Sequence, residues 1–305
     1  MTTGEKPADL SKKGPRVLVT GAGDLLGERL AALLAAEMDV VAAVHHAPPP
    51  EGLARVPFDL LEPASYAVAL ELARPDAVVH AAAVAQPDQA EADPDRATRI
   101  NAKGPRLLAR MCAGRGIRLV ALSTDLVLPG DRPASAEDVP PAPLLHYART
   151  KLEGEAVVLA EHPAAAVVRV ALVVGRGHGP RGTASESIAW ALRSGRRVRL
   201  FTDQFRTPID PESVAAAVAA LVRGRQCGLF HLGGPERVSR HQIGLRVAAA
   251  CGLDASLIEE ARQAEQAVPR PADVSLDSTR ARRELDFVPR GLDEALRDGR
   301  PEPPA

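Results

Sequence analysis

The chain alternates short apolar runs with longer stretches in which apolar residues recur at helical spacing. Val17–Val19 is apolar, a glycine-bearing turn at 20–27 interrupts it, and ERLAALLAAE at 28–37 repeats its apolar positions every three to four residues. Val40–Val44 is the next apolar run. This order predicts strand, tight turn, helix and strand, a βαβ unit near the chain start. Asp76–Ala83, DAVVHAAA, follows as an uninterrupted strand ending in small residues, and 117–122 and AVVRVALVVGRG at 166–177 are further apolar runs. Apolar runs with no polar alternation suit parallel strands covered on both faces. PESVAAAVAALV at 211–222 predicts a largely buried helix, GLFHLGGPERVSRHQIGLRVAAACG a strand, loop and helix, and LDSTRARRELDF a C-terminal helix with Asp277 as its N-cap. The fold class predicted is α/β: a doubly wound parallel sheet of Rossmann type with a smaller C-terminal substrate-binding region. The expected organisation is a leader at 1–15, a dinucleotide-binding core at 16–165, the remaining core strands and substrate region at 166–299, and a tail at 300–305.

Composition narrows the class of partner. The 305 residues are 46% hydrophobic, enough for a substantial core, and 38 basic against 39 acidic residues leave a formal charge of −1. No global charge points to nucleic acid or an anionic membrane, so a small-molecule substrate is expected and any anion site has to be local. The polar start of the chain lacks the apolar stretch of a secretory signal, and the apolar run VAAAVAALV at 214–222 falls short of the roughly 20 residues of a membrane span. Cys112, Cys227 and Cys251 are odd in number and widely spaced, which suits buried, reduced thiols in a soluble cytoplasmic protein and neither a disulfide framework nor a metal site.

Candidate chemistry gathers at the predicted C-terminal ends of the strands. Glycines in a strand-to-helix turn let backbone N–H groups and a helix N-terminus approach a dinucleotide pyrophosphate, so Gly21, Gly23, Asp24, Leu25 and Leu26 are candidate cofactor residues. No acid ends the second strand, where NAD-preferring Rossmann proteins hold the ribose hydroxyls. His45 or His46 can face a 2′-phosphate there or lie as plain loop histidines, and the lean is towards NADPH. A short strand through RVPFDLLEP is predicted to end at Asp59, which with Leu60 meets the adenine edge or simply caps a turn. Ala81, Ala82 and Ala83 leave room for a ligand, whereas His80 reads as a packed strand histidine. Asn101 is either a core hydrogen-bonding residue or part of the site. Ser123, Thr124 and Asp125 end the strand begun at 117, where a hydroxyl can orient a substrate carbonyl or cap the turn. Tyr147 and Lys151 lie four residues apart on a helix that opens at HYARTKLEGE, hence on one face, and an ammonium beside a phenol is expected to pull its pKa down from about 10. Arg206 and Arg270 can bind a pyrophosphate through their guanidinium groups or serve as surface charges. Trp190, at helical spacing with Ile188 and Leu192, reads as packing.

Taken together, TGAGDLLG, HAAA, STDLVLPG and YARTK resemble the extended short-chain dehydrogenase/reductases, and within them the dTDP-4-dehydrorhamnose reductase subgroup. The likeness extends through PDQAEADPDRATRINAKGP and the LDSTRARRELDF helix and covers most of the chain outside the leader. It departs from the pattern in three places. Asp24 stands at the middle glycine of T-G-x-x-G-x-x-G, either as a helix cap or as a charge that repels the pyrophosphate. Leu126, Val127 and Leu128 replace Y-V-F, and Ala148 replaces the glycine after the tyrosine. The resemblance implies NADP or NAD as cofactor and reduction of a nucleotide-linked 4-keto sugar. Thr124 would orient the carbonyl, Tyr147 would donate the proton, and Lys151 would activate the tyrosine and hold the cofactor ribose. It also leaves open a homodimer and two other functions. One is a non-catalytic NAD(P)-binding subunit like the methionine adenosyltransferase partner. The other is a nucleotide-sugar epimerase or dehydratase, although Asp125-Leu126 does not resemble the Asp-Glu pair of the dehydratases.

Overall fold

The computed structural model describes residues 14–45, 48, 50–177, 182–265 and 269–298. Most of the expected leader, His46, the stretch 178–181 and the tail lie outside the described residues. Strand β1 (Arg16–Thr20) leads through the glycine turn into α1 (Leu25–Leu34), then β2 (Asp39–Val44), β3 (Ala54–Pro57), α2 (Pro63–Ala73) and β4 (Ala77–His80). Helices α3 (Pro87–Ala92) and α4 (Pro94–Thr98), one π-helical turn at Arg99–Lys103 and α5 (Gly104–Arg115) precede β5 (Arg118–Thr124). Helix α6 (His146–Glu161), β6 (Ala166–Val170), α7 (Ala184–Arg193), β7 (Val198–Phe201), β8 (Phe205–Arg206), α8 (Pro211–Arg223) and β9 (Gly228–Leu232) follow. The chain closes with β10 (Val238–Ser239), α9 (Arg240–Cys251), β11 (Ile258–Ala261), α10 (Thr279–Leu285) and α11 (Leu292–Asp298).

Seven strands form one sheet in the order β3-β2-β1-β4-β5-β6-β9, and every pair in it is parallel. Strand order reverses between β1 and β4, so the crevice at their C-terminal ends is the switch point at which open α/β sheets bind ligands. Alternate residues of each strand feed two apolar layers. Val17, Val19, Val120 and Val168 pack with Leu30 and Leu34 of α1 and Val218 and Leu221 of α8 on one side. Leu18, Val78, Leu119 and Val167 pack with Tyr66 of α2, Leu108 of α5 and Val158 of α6 on the other. A third apolar cluster joins α7, α9 and α11 under the two-stranded pairs β11-β7 and β10-β8, the smaller C-terminal region. Among the described residues no helix is long and apolar enough to cross a membrane.

The differences from expectation lie at element ends. β4 stops at His80, which leaves Ala81–Ala83 in a loop, and β3 stops two residues before Asp59. Asp277 is not the N-cap of α10. Ser278 holds that position, while Asp277 accepts from Thr279 N at 2.8 Å one residue earlier, because the turn before α10 is bridged by that side chain. No disulfide joins the three cysteines, and against expectation only Cys112 is buried; Cys227 is exposed in the loop before β9 and Cys251 is partly exposed at the end of α9.

Helix α6 reaches the sheet by crossing the π-helical turn at a glycine. A Cβ on Gly154 would stand 2.2 Å from the Asn101 carbonyl oxygen, whereas one on Gly114 of α5 would meet nothing within 4 Å. Gly154→Ala is therefore expected to cost about 1–3 kcal/mol by overpacking. Gly114→Ala, in a helix with room for a methyl, is expected to gain about 0.4–1 kcal/mol. Urea midpoints at unchanged slope check both signs; a neutral Gly154→Ala would mean that α6 does not bear on this contact.

Candidate active site

The glycine turn is shaped for close approach. Gly21 has φ +71°, and a Cβ there would lie 2.7 Å from Ala82 Cα, while a Cβ on Gly27 would lie 2.2 Å from the Gly21 carbonyl oxygen. Side chains are thus excluded from the crossing of β1, α1 and the loop after β4, and the first amides of α1 are left at the switch point. That is the form a dinucleotide pyrophosphate requires. Asp24 occupies the N-cap position with extended backbone and is exposed, but its side chain makes no cap hydrogen bond; the turn is closed by backbone, Asp24 N donating to Gly21 O at 2.9 Å. Of the two roles expected for Asp24, the cap is met in position only. Gly23, Leu25 and Leu26 line the same turn, partly exposed.

His45 and Asp59, singled out separately, come together. His45 Nε2 lies 3.2 Å from Asp59 Oδ2, and Asp59 Oδ1 accepts from Leu61 N at 2.8 Å. Asp59, beyond β3 and next to Leu60, is thus a turn cap that also touches the histidine directly after β2. Asn101 proves to be a strut. Its Oδ1 accepts from Val84 N at 2.9 Å, and its Nδ2 donates to Val84 O and to Thr150 Oγ1 at 3.1 and 3.0 Å. Thr150 Oγ1 in turn donates to Tyr147 O at 2.8 Å, so Asn101 fixes the first turn of α6 to the loop after Ala81–Ala83.

At the end of β5, Thr124 and Asp125 are buried. Thr124 Oγ1 donates to Asp125 Oδ1 at 3.2 Å, accepts from Leu126 N at 3.3 Å, and stands close enough to the Tyr147 phenol to favour its ionised form. The phenol nevertheless moves opposite to expectation. Burial pushes the Tyr147 pKa up to about 12, and the nearby Asp125 charge adds to the rise. Lys151 does not offset this, because its Nζ is turned to the sheet, donating to Leu122 O at 2.8 Å. Burial also pulls the Lys151 ammonium down to about 8, with Glu155 acting the other way. Desolvation outweighs the attraction between the two groups, and Tyr147 is a protonated phenol throughout the neutral range.

Arg206 is buried in β8, bonded to Phe205 O at 2.6 Å, and it feels the charges of Asp125, Asp273 and Arg270. Arg270 reaches Asp88 of α3 at 3.4 Å. Arg206 therefore stands beside Asp125 at the end of β5, and Arg270 lies near Arg206 while reaching Asp88. Sequence reasoning missed Arg240, whose pKa burial and Arg206 lower to about 10 and whose Nη1 is buried without a hydrogen-bond partner.

It also missed a buried polar chain beneath the site. Glu155, one turn beyond Lys151, accepts from Ser123 Oγ and, bidentately, from Arg169, whose Nη2 lies 2.8 Å from Glu155 Oε2. Arg169 Nη1 donates to His231 Nε2 at 3.3 Å, and His231 Nδ1 donates to Ser135 O at 3.0 Å. The signal was present: an arginine inside the apolar run AVVRV requires a buried anion.

A profile of the RmlD substrate binding domain matches residues 15–299. The dTDP-4-dehydrorhamnose reductase of Mycobacterium tuberculosis is 36% identical over 86% of this chain and 84% of that protein. A probable low-salt glycan biosynthesis reductase of Haloferax volcanii is 31% identical over 91% and 95%. The beta subunit of methionine adenosyltransferase 2 of Xenopus tropicalis is 29% identical over 89% and 83%. Among solved structures, a hypothetical dTDP-4-dehydrorhamnose reductase from Sulfolobus tokodaii superposes with a TM-score of 0.80 at 28% identity, over 91% of this chain and 98% of that one.

The folded pKa of Lys151, about 8, lies below its ordinary 10.5, so burying the ammonium opposes folding below pH 8 and the penalty fades as pH rises through 10.5. Lys151→Met gives up one hydrogen bond to Leu122 O but removes that penalty. It is expected to be more stable at pH 7 by about 1–2 kcal/mol, with the gain shrinking above pH 8. Chemical denaturation at pH 7 and pH 10 reads this directly; an equal difference at both would contradict it.

Proposed function

Because the chain belongs to the family of the RmlD substrate binding domain, we propose that it is an NAD(P)H-dependent oxidoreductase reducing the keto group of a nucleotide-linked 4-keto-6-deoxy sugar. The observation that carries this reading is Tyr147: a buried phenol held protonated, beside the Thr124 hydroxyl, at the C-terminal end of β5. Reduction of a ketone needs a proton donor for the developing alkoxide, and a phenol with its pKa near 12 retains its proton until that alkoxide forms. The nicotinamide, when bound, supplies the hydride.

The chain's own residues do the rest. Amides of the turn from Gly21 and the N-terminus of α1 receive the pyrophosphate, and the Asp59–His45 corner faces the adenosine end. Thr124 holds the substrate carbonyl towards Tyr147. Lys151 has spent one of its three donors on Leu122 O and has two left for the nicotinamide ribose and its surroundings. Arg206, beside Asp125, and Arg270, near Arg206, are suited to the substrate diphosphate. The absence of an acid at the end of β2 favours NADPH over NADH, and cysteines not joined in disulfides fit a cytoplasmic setting. A purely regulatory role would leave a phenol and an ammonium buried at a strand end with no chemistry to perform.

The test is oxidation of NADPH or NADH in the presence of dTDP-4-keto-6-deoxy sugars, followed by loss of nicotinamide absorbance. Tyr147→Phe keeps the ring and its packing, so turnover should fall by roughly 10²- to 10⁴-fold with cofactor affinity unchanged. Lys151→Met should impair both turnover and cofactor binding. A cofactor complex that is inert towards the whole panel, with Tyr147→Phe indistinguishable from the parent protein, would replace the reductase by a non-catalytic dinucleotide-binding subunit.

A further inference from the structure

Beside Lys151 lies a cavity of about 10 Å³ between the ends of β4 and β5 and the flank of α6. Its polar lining is His80, Asn101, Ser123, Lys151 and Glu155, and Val158 and Val167 line it too. A cavity of this volume holds one water molecule, provided that two to four polar groups face it. The Asn101 side chain is already spent on Val84 and Thr150.

His80 is the group that remains to be explained. Its Nδ1 is bonded to Thr20 Oγ1 at 2.7 Å, while its Nε2 is buried without a hydrogen-bond partner in the protein. A buried ring nitrogen left in this state is costly, and the cavity it lines is the place where the deficit can be met. We propose that the cavity is a site for one structural water that joins His80 Nε2 to the Lys151 ammonium, making His80 a positioning residue for Lys151.

The charge pattern agrees with this arrangement. Burial and the Lys151 charge push the His80 imidazole down to about 3, so it is neutral and does not repel the ammonium. From β4, His80 faces Lys151; from β5, the Leu122 carbonyl and Ser123; from α6 itself, Tyr147 and Glu155. The Glu155 charge is shared with Arg169 of β6, which leaves Lys151 short of partners that favour its charged form. In either imidazole tautomer the water accepts a hydrogen bond from Lys151 and is anchored by Nε2, so it stabilises the ammonium. The catalytic meaning of this site rests on the reductase reading, but its existence does not, and the tests below use the cofactor-free protein.

Asparagine at position 80 reproduces the Nδ1 contact to Thr20 and lacks a group at Nε2, while glutamine places its amide nitrogen near Nε2. The Lys151 titration, followed by NMR of labelled lysine side chains, is expected near pH 8 in the parent protein, lower by roughly one unit in His80→Asn, and restored in His80→Gln. Identical titration in all three proteins overturns the proposal. A crystal structure of the parent protein at high resolution gives an answer that needs no variant: density for a water within hydrogen-bond distance of both His80 Nε2 and Lys151 Nζ supports the site, and a dry cavity refutes it. If the titrations shift as expected while the keto-sugar panel stays inert, the water site stands and the reductase reading falls.

Discussion

Helix α6 has to stand within hydrogen-bond reach of the end of β5, and nearly every feature of the site follows from how that is achieved. Three contacts of different kinds hold the seam. Gly154 lets the helix backbone lie against the Asn101 carbonyl, Asn101 ties Thr150 and through it the Tyr147 backbone, and Glu155 draws the third turn onto Ser123 and Arg169. Removing one partner of a buried ion pair leaves an uncompensated charge, so the Glu155–Arg169 pair resists separation more than it adds to stability. Tyr147 and Lys151 are thereby set beside Thr124 by contacts of the helix backbone and of neighbouring side chains.

That arrangement explains why the two catalytic candidates carry opposite shifts for one cause. Burial disfavours charge on each. It raises the phenol and lowers the ammonium, and the helical face that brings them together also takes them out of water. Spacing alone suggested that the ammonium would dominate the phenol, because it counts the attraction between two groups and omits what each loses in solvation. The phenol therefore keeps its proton through the neutral range.

The fold was legible because period and order are properties of the chain: apolar runs, helical repeats and their alternation led to a parallel sheet with its switch point beside the glycine turn. The positions of Thr124, Tyr147 and Lys151 were legible for the same reason, one at a strand end and two on a helical face. What escaped was whatever depended on a partner distant in sequence. Asp59 could not be seen to touch His45 until β3 lay beside β2, and Asp277 could not be told from Ser278 as a cap without the turn between them. Arg240 gave no local sign, since nothing in SRHQI shows that it faces Arg206. Arg169 did give one, and an arginine in an apolar strand is best taken as a request for a carboxylate elsewhere in the chain.

Parallel strands covered by apolar layers on both faces have little to tell them how far to slide along their neighbours, since a valine serves nearly as well on either side. Ser123, Arg169 and His231 stand opposite one another on β5, β6 and β9. The three form a polar row across an otherwise apolar half-sheet. A shift of β6 by one residue would turn Arg169 away from Glu155 and into the layer built with α1 and α8. The row thus works as a notch that fixes the alignment of three strands during folding, so that the strand ends, and the groups they carry, finish level.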